Sequence, residues 1–310
     1  MESWELIVVG AGPAGLSAGI YGARSGLRTL VLEEKMAGGT TADAPLIENY
    51  LGFERISGMD LAQKMVAHSR TQKVQINEFE NVVSVDLKGE NKAVTTAKST
   101  YETKTVIIAT GAHYRHLNIP GEKEFTGRGV SFCAICDGPL FAGKRLVVVG
   151  GGNSALIATL YLSSFASEVK VVHRRDVFRA EEAYVNDLKN KRNVEVLWNT
   201  EAKEIKGGKL VDMVAIFNNK SNETKDLAVD GVFVQIGEDP NSQFAQDAGV
   251  AVDRDGFVIV DRLQRTNIDG VYAIGDVSNH PVKQVGTAVG MGITAALEAY
   301  AFIKRPYYKR

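Results

Sequence analysis

A chain of 310 residues, 45% of them hydrophobic, can build one large domain or two ordinary ones with real cores. Its formal net charge of −1 gives no pull toward nucleic acid or an anionic membrane surface. No apolar run is expected to reach the ~18 residues of a membrane span, and residues 6–9 are too short a stretch for the core of a signal peptide. Only two cysteines are present, too few for a structural disulfide framework, so the chain reads as cytoplasmic with a catalytic pair.

Residues 5–10 read as a short buried strand, 13–24 as a small-residue helix and 28–33 as a second strand. This is a βαβ unit, the start of a doubly wound parallel sheet. Residues 60–73 read as a helix with Asp60 as its N-cap. Short strands follow between 80 and 97, and a further strand, 105–109, ends at Thr110-Gly111. A second start then appears, with a strand at 144–150, a helix at 153–165 and a strand at 168–172. The apolar segment 271–276 precedes a glycine-spaced helix from 284 to about 303, as if a first domain returns after an interruption. Boundaries are expected near 113–117 and 238–244, where proline or polar turn residues occur. The expected fold is α/β, with two Rossmann-like dinucleotide-binding domains, the second inserted in the first. The segments are 1–114, 115–241 and 242–310.

Gly10-Ala11-Gly12-Pro13-Ala14-Gly15 follows the first strand and opens the first helix. Such a turn lets backbone N–H groups approach a pyrophosphate, although the same pattern also serves as a plain tight βα connection. Eighteen positions past Gly15 stands Glu33. A carboxylate there accepts hydrogen bonds from an unphosphorylated ribose and repels a 2′-phosphate; the alternative is a solvated strand-end acid. The second turn is Gly150-Gly151-Gly152-Asn153-Ser154-Ala155, and eighteen positions past Ala155 stands His173, followed by Arg174, Arg175 and, further on, Arg179. Arginine forks fit phosphate oxygens, so this turn should prefer NADPH to NADH unless the arginines form only an exposed basic loop.

Between the two turns lies Cys133-Ala134-Ile135-Cys136-Asp137. Two thiols at this spacing can close a small disulfide ring or contribute to a metal site. No second cysteine pair exists and the five histidines form no ligand-spaced cluster, so redox chemistry is favoured and no metal is expected. Two dinucleotide sites would supply the electrons. Asp137 adjoins Cys136 and could carry a proton if burial raises its pKa. Asp137-Gly138 is also a common turn dipeptide, and both readings can hold. His113 and His116 read as decoration of the linker.

Further runs extend these signals: Glu48-Asn49-Tyr50-Leu51-Gly52-Phe53, Ala109-Thr110-Gly111, Gly127-Arg128-Gly129-Val130-Ser131, His173-Arg174-Arg175-Asp176-Val177-Phe178-Arg179-Ala180 and Gly275-Asp276-Val277. With them the chain resembles low-molecular-weight thioredoxin reductase nearly end to end. The resemblance implies an FAD domain built from both chain ends and an inserted NADPH domain that carries the dithiol. Electrons would pass from NADPH to FAD, to the Cys133/Cys136 disulfide, and on to a thioredoxin- or glutaredoxin-like protein. A homodimer is implied, with no nucleic-acid or membrane partner.

By the same resemblance Gly10, Gly12, Pro13, Ala14 and Gly15 hold the FAD pyrophosphate, and Glu33 its ribose. Gly38, Gly39, Thr40 and Asn49 line the flavin side. Asp276 binds the ribityl–pyrophosphate stretch and Gln284 sits by the isoalloxazine, with Thr110, Gly111, Gly275 and Val285 completing the FAD set. Gly150, Gly152, Asn153, Ser154, His173, Arg174, Arg175 and Arg179 take NADPH. Cys136 faces the flavin, Cys133 attacks the partner disulfide, and Asp137 is the acid/base. The inserted domain would rotate about its two linkers so that nicotinamide and Cys136 meet the flavin in turn.

The chain departs from the family at Ile135, where Thr is common, and at 156–158, where many relatives carry acids. Lys283-Gln284-Val285 replaces an Arg-Gln-Ala run. Two alternatives remain. A dithiol oxidase using O₂ would not need the arginine cluster. A non-enzymatic NADP-linked redox sensor would show no turnover.

Overall fold

Strands and helices alternate in two separate runs. The computed structural model describes residues 2–44 and 46–304. The first run is β1 (Glu2–Val9), α1 (Pro13–Arg24), β2 (Thr29–Leu32), α2 (Gly58–Thr71), β3 (Gln75–Asn77), β4 (Val82–Asp86), β5 (Lys92–Thr96) and β6 (Thr100–Ile108). Strand β7 (Ala112–Tyr114) leads into α3 (Glu122–Phe125), β8 (Val130–Ser131), α4 (Ala134–Asp137), β9 (Arg145–Gly150), α5 (Asn153–Leu162), β10 (Glu168–His173), α6 (Glu182–Lys189) and β11 (Val194–Trp198). The second run ends with β12 (Thr200–Gly207), β13 (Val211–Asn218), β14 (Glu223–Ala228) and β15 (Gly231–Gln235). Strand β16 (Glu238–Pro240) then leads to α7 (Gln243–Asp247), β17 (Val271–Ala273) and α8 (Val285–Lys304). The chain forms two compact units, Met1–His113 with Asp239–Arg310, and Tyr114–Glu238.

The sheet of the first unit runs β3-β2-β1-β6-β5-β4, with β17 also paired to β6. β1, β2, β3, β6 and β17 are parallel, while β4 and β5 form an antiparallel meander at one side. β6 is long enough to serve two neighbours on that side. Its first residues pair with β5, and Val106, Ile107 and Ile108 pair with β17. Alternate residues of the central strands enter opposite cores, as a sheet covered on both faces requires. Leu6 and Val8 pack with α1 and α8; Ile7 and Val9 pack with Ala245, Val250 and Val258.

Helix α2 starts earlier than expected. Its N-cap is Ser57, whose hydroxyl accepts the Asp60 N–H at 3.0 Å and donates to the Asp60 carboxylate at 2.7 Å. Asp60 therefore gives its N–H to the cap and accepts from the cap's hydroxyl in return. Helix α8 is another correction: by length and composition it could cross a membrane, the single such helix among the described residues. Its apolarity has a local use. Ala288, Met291, Ala295, Ala296 and Ala299 belong to the core shared with α1. The two helices approach so closely that Ser17 donates to the Val289 carbonyl at 2.8 Å.

The second unit has a five-stranded parallel sheet, β11-β10-β9-β15-β8, and a three-stranded antiparallel sheet, β12-β13-β14. Val147 and Val149 of β9 face Ile205 and Val214 in one core, while Leu146 and Val148 face Leu156 and Leu162 of α5 in the other. Near the start of this unit the buried Glu122 carboxylate accepts the N–H groups of Leu117 and Asn118, both at 2.8 Å, which ties the incoming segment down.

The α1–α8 contact gives a matched test within one helix. A Cβ on Gly292 would lie 2.4 Å from the Ala14 carbonyl oxygen, whereas one on Gly290 would meet nothing within 4 Å. Gly292→Ala is expected to destabilise by about 1–3 kcal/mol through overpacking. Gly290→Ala is expected to stabilise by about 0.5–1 kcal/mol through helix propensity. Urea unfolding of the two variants should move in opposite directions; equal shifts would contradict the close contact.

Candidate active site

In the first unit, the turn after β1 is held by backbone approaching backbone. Gly10 has φ +107°, and a Cβ there would lie 2.3 Å from the Ala109 carbonyl oxygen at the end of β6. A Cβ on Gly15 would lie 1.9 Å from the Gly10 carbonyl oxygen, so the turn closes on the start of α1. No side chain caps α1 at Gly12, and Pro13 has no N–H to offer. The helix end is therefore left open to an anion.

Glu33 is half-buried, and it straps this turn rather than standing in solvent. Its Oε2 accepts the Ala11 N–H at 2.7 Å and its Oε1 accepts the Lys35 N–H at 2.9 Å. Each oxygen keeps a lone pair for a further donor. Gly38 donates its N–H to the Ala11 carbonyl at 2.9 Å. A Cβ on Gly39 would come within 2.8 Å of the Gly12 Cα, so the Gly38-Gly39-Thr40 segment crosses directly over the turn. From the other end of the chain, Gly275 brings Asp276 to the start of α1, with a would-be Cβ 3.0 Å from the Ala14 side chain.

Burial raises the Asp276 pKa above the ordinary carboxylate value, and the Lys283 ammonium opposes this. Lys283 itself donates to the Asp276 carbonyl at 2.9 Å and lies 4.3 Å over the Phe257 ring. Asn49 and Gln284 are brought together, amide to amide at 3.2 Å, just ahead of Val285 at the start of α8. Thr110 and Asn241 exchange hydrogen bonds at 2.6 and 2.8 Å beside Gly111, which has φ +70°.

The second turn repeats the first. A Cβ on Gly150 would lie 2.2 Å from the Gln235 carbonyl oxygen at the end of β15. Gly152 faces open space and caps α5 without a side chain. His173 behaves differently from its counterpart Glu33. Its ring lies against Gly151, is 6% exposed, and packs with Phe178 and Trp198. Burial lowers its pKa, as do the Arg174, Arg175 and Arg179 charges, although a hydrogen bond to the Val177 carbonyl opposes them. The neutral ring thus supports the turn from beneath and does not join the arginines on the surface.

Arg174, Arg175 and Arg179 are exposed, and among the described residues none of their guanidinium groups forms an ion pair. Their backbone, by contrast, is pinned. The Arg174 carbonyl accepts from Asn219 Nδ2 at 2.9 Å, the Arg175 carbonyl from the Asn199 N–H at 3.0 Å, and the Arg179 N–H donates to the Gly151 carbonyl at 2.8 Å. Asp176 turns to Lys220 at 2.9 Å. Asn153 and Glu181 hold each other through two hydrogen bonds of 2.7 and 2.8 Å, which fasten the arginine loop to the start of α5, where Ser154 is exposed. Spacing does not reveal Glu181, Asn199 or Asn219, because their partners are distant in sequence. At 156–158, Leu156 and Ala158 lie in the core and Ile157 is 42% exposed.

Cys133 and Cys136 form a disulfide across the first turn of α4, with their Cα atoms 5.3 Å apart. The Cys136 N–H donates to Cys133 Sγ at 3.2 Å. Asp137 is held by Ser131, whose hydroxyl donates to Oδ2 at 2.7 Å. Burial raises the Asp137 pKa, and the Ser131 hydrogen bond partly opposes it. Gly138 has φ −50°, so it is not the left-handed residue of a tight turn. It is glycine because a Cβ would lie 2.9 Å from Leu162 and 3.1 Å from Phe165. Among the described residues no His, Cys, Asp or Glu cluster could hold a metal.

A model of the pyridine nucleotide-disulphide oxidoreductase family matches residues 4–292. A 34.2 kDa protein in the rubredoxin operon of Clostridium pasteurianum is 40% identical, over 96% of this chain and 97% of its own length. Thioredoxin reductase of Bacillus subtilis is 38% identical, over 97% of this chain and 95% of its own. The crystal structure of thioredoxin reductase from Streptococcus pyogenes matches with a TM-score of 0.93 at 40% identity, covering 98% of this chain and 99% of that one. Such relatives imply the use of a flavin and a pyridine nucleotide. Two glycine turns built on the same plan, with a disulfide in the same unit as the second, agree with these matches: the chain belongs to the pyridine nucleotide-disulphide oxidoreductase family and is an oxidoreductase of the low-molecular-weight thioredoxin reductase type.

Proposed function

We propose that the protein is an NADPH-dependent thioredoxin-disulfide reductase, cytoplasmic and homodimeric, with no nucleic-acid or membrane partner. Segments 1–114 and 242–310 bind FAD, and segment 115–241 binds NADPH and carries the dithiol. The observation that carries this reading is the contrast between the two turns. The first is strapped by a carboxylate, and the second is edged by three exposed arginines that form no salt bridge among the described residues.

The first cradle suits an extended dinucleotide. Gly10, Gly12, Gly39 and Gly275 keep its walls bare of side chains, the α1 N-terminus favours a pyrophosphate, and Glu33 has lone pairs left for ribose hydroxyls. Asp276, Thr110, Gly111, Asn49, Gln284 and Val285 complete that site. Bound flavin would supply the relay of an electron pair from reduced nicotinamide to the disulfide. At the second turn, Gly150, Gly152, Asn153 and Ser154 receive the NADPH pyrophosphate, Arg174, Arg175 and Arg179 receive its 2′-phosphate, and His173 holds the turn in shape.

Opening the Cys133–Cys136 bond takes two electrons, and two protons complete the thiols. The Cys136 N–H at Cys133 Sγ favours negative charge on that sulfur, which suits Cys133 as the attacking thiolate. Attack on a partner disulfide forms a bond from Cys133 to one partner sulfur and releases the other. Cys136 then attacks Cys133 Sγ, which restores the intramolecular disulfide and frees the second partner sulfur. Asp137, with its raised pKa, carries protons to and from Cys136 in these steps.

Each arginine–phosphate contact is a charge-assisted hydrogen bond worth roughly 1.5–3 kcal/mol. Arg174→Ala and Arg175→Ala should each weaken NADPH binding by about tenfold or more, with NADH binding nearly unchanged. Calorimetric titration with both nucleotides checks this, and equal losses for the two would sink the assignment of the loop.

Cys133→Ser and Cys136→Ser should each abolish reduction of a thioredoxin disulfide while leaving flavin reduction by NADPH intact. Turnover near the wild-type rate in either variant would show that electrons leave the protein elsewhere.

A further inference from the structure

We infer that Ser131 is a positioning residue of the dithiol centre, whose hydroxyl couples the protonation of Asp137 to the backbone of Cys133. The inference rests on the reading of Cys133 and Cys136 as the redox pair and of Asp137 as their proton carrier. Ser131 ends β8, is 4% exposed, and is registered there by the pairing of β8 with Phe233 of β15. Its Oγ meets three groups: Asp137 Oδ2 at 2.7 Å, the Cys133 N–H at 3.1 Å and the Cys133 carbonyl at 3.3 Å.

A serine hydroxyl has one proton to give and two lone pairs to accept with. One lone pair takes the Cys133 N–H. The proton has two competing acceptors, and the carboxylate wins while Asp137 is ionised, because hydrogen bonds to charge are shorter and stronger. When Asp137 gains a proton, its own O–H can donate to Ser131 Oγ. The serine proton is then free to turn to the Cys133 carbonyl. No proton is gained or lost by Ser131 in this exchange; one donor–acceptor direction is reversed. The peptide that carries Cys133 thereby feels whether Asp137 holds a proton.

Little else acts on Asp137. Its own turn contributes the two cysteines, and α5 packs Tyr161, Leu162 and Phe165 against the adjoining Gly138. Burial raises its pKa, and the Ser131 hydrogen bond is the influence that opposes it, with no neighbouring charge contributing among the described residues. Loss of the hydroxyl should therefore push the Asp137 titration further toward high pH. Sequence position conceals this role, because Ser131 and Asp137 meet only when β8 and α4 are placed beside each other.

The test is a ¹³C NMR titration of the Asp137 carboxyl carbon in the oxidised, flavin-loaded protein, assigned by its loss in Asp137→Asn. Ser131→Ala is expected to move the midpoint to higher pH. Ser131→Thr and Ser131→Val match each other in shape and differ by the hydroxyl. Thr should titrate close to wild type and Val close to Ala, so the comparison holds even if Ser131→Ala folds poorly. Thioredoxin turnover, measured against pH, should show its Asp137-dependent limb displaced to higher pH in Ala and Val. A titration midpoint unchanged between Thr and Val would overturn the inference. A midpoint that moves, with a turnover profile that does not, would uphold the Ser131–Asp137 coupling and refute Asp137 as the proton carrier.

Discussion

Both halves of this molecule depend on one steric constraint, the approach of backbone to backbone where a central strand ends. A Cβ at Gly10 would lie 2.3 Å from the Ala109 carbonyl oxygen, and one at Gly150 would lie 2.2 Å from the Gln235 carbonyl oxygen. In each unit the central strand therefore delivers its turn onto the end of the neighbouring strand, β6 in the first and β15 in the second. That placement points the following helix N-terminus outward without a side-chain cap. The residues proposed to receive the two dinucleotides are arranged around these bare helix ends.

The units part company one strand later, at equivalent positions. In the first, Glu33 bonds the Ala11 N–H, so the strap is a carboxylate that also has lone pairs to spare. In the second, the His173 ring fills the space under Gly151, and the charge is carried by Arg174, Arg175 and Arg179 on the surface. Asn199, Asn219 and Glu181 fix the loop backbone, and the three arginines stay exposed. A loop with a fixed backbone loses little backbone freedom on meeting a phosphate, which favours binding.

The α/β class and the two glycine turns were legible in the sequence because both rest on local spacing. A glycine where a strand turns into a helix, followed at fixed distance by Glu33 in one unit and by His173 and the arginines in the other, is visible in one dimension. Other features depend on contacts made in three. Ser57 caps α2 in place of Asp60 because its hydroxyl reaches the Asp60 N–H, a bond that depends on the chain entering the helix at Gly58. Strand β3, three residues long, has no alternation to betray it and exists through pairing with β2. Spacing places His173 opposite Glu33, yet the histidine is buried because Trp198 and Phe178 close over it. Ser131 stood in a run that carried the family resemblance, but its bond to Asp137 is a tertiary contact without a sequence signature.

The central proposal is that one flavin and one disulfide in the same chain take electrons in turn from a pyridine nucleotide. Its most direct measurement is an anaerobic titration of the flavin-loaded protein with NADPH, following flavin absorbance and free thiols together. The expected result is thiol formation in the wild-type protein and a larger uptake of NADPH before full bleaching than in the Cys133→Ser, Cys136→Ser double variant. The double variant should bleach after only the flavin's share. Identical bleaching curves for the two proteins, with no thiols released in the wild type, would contradict the claim.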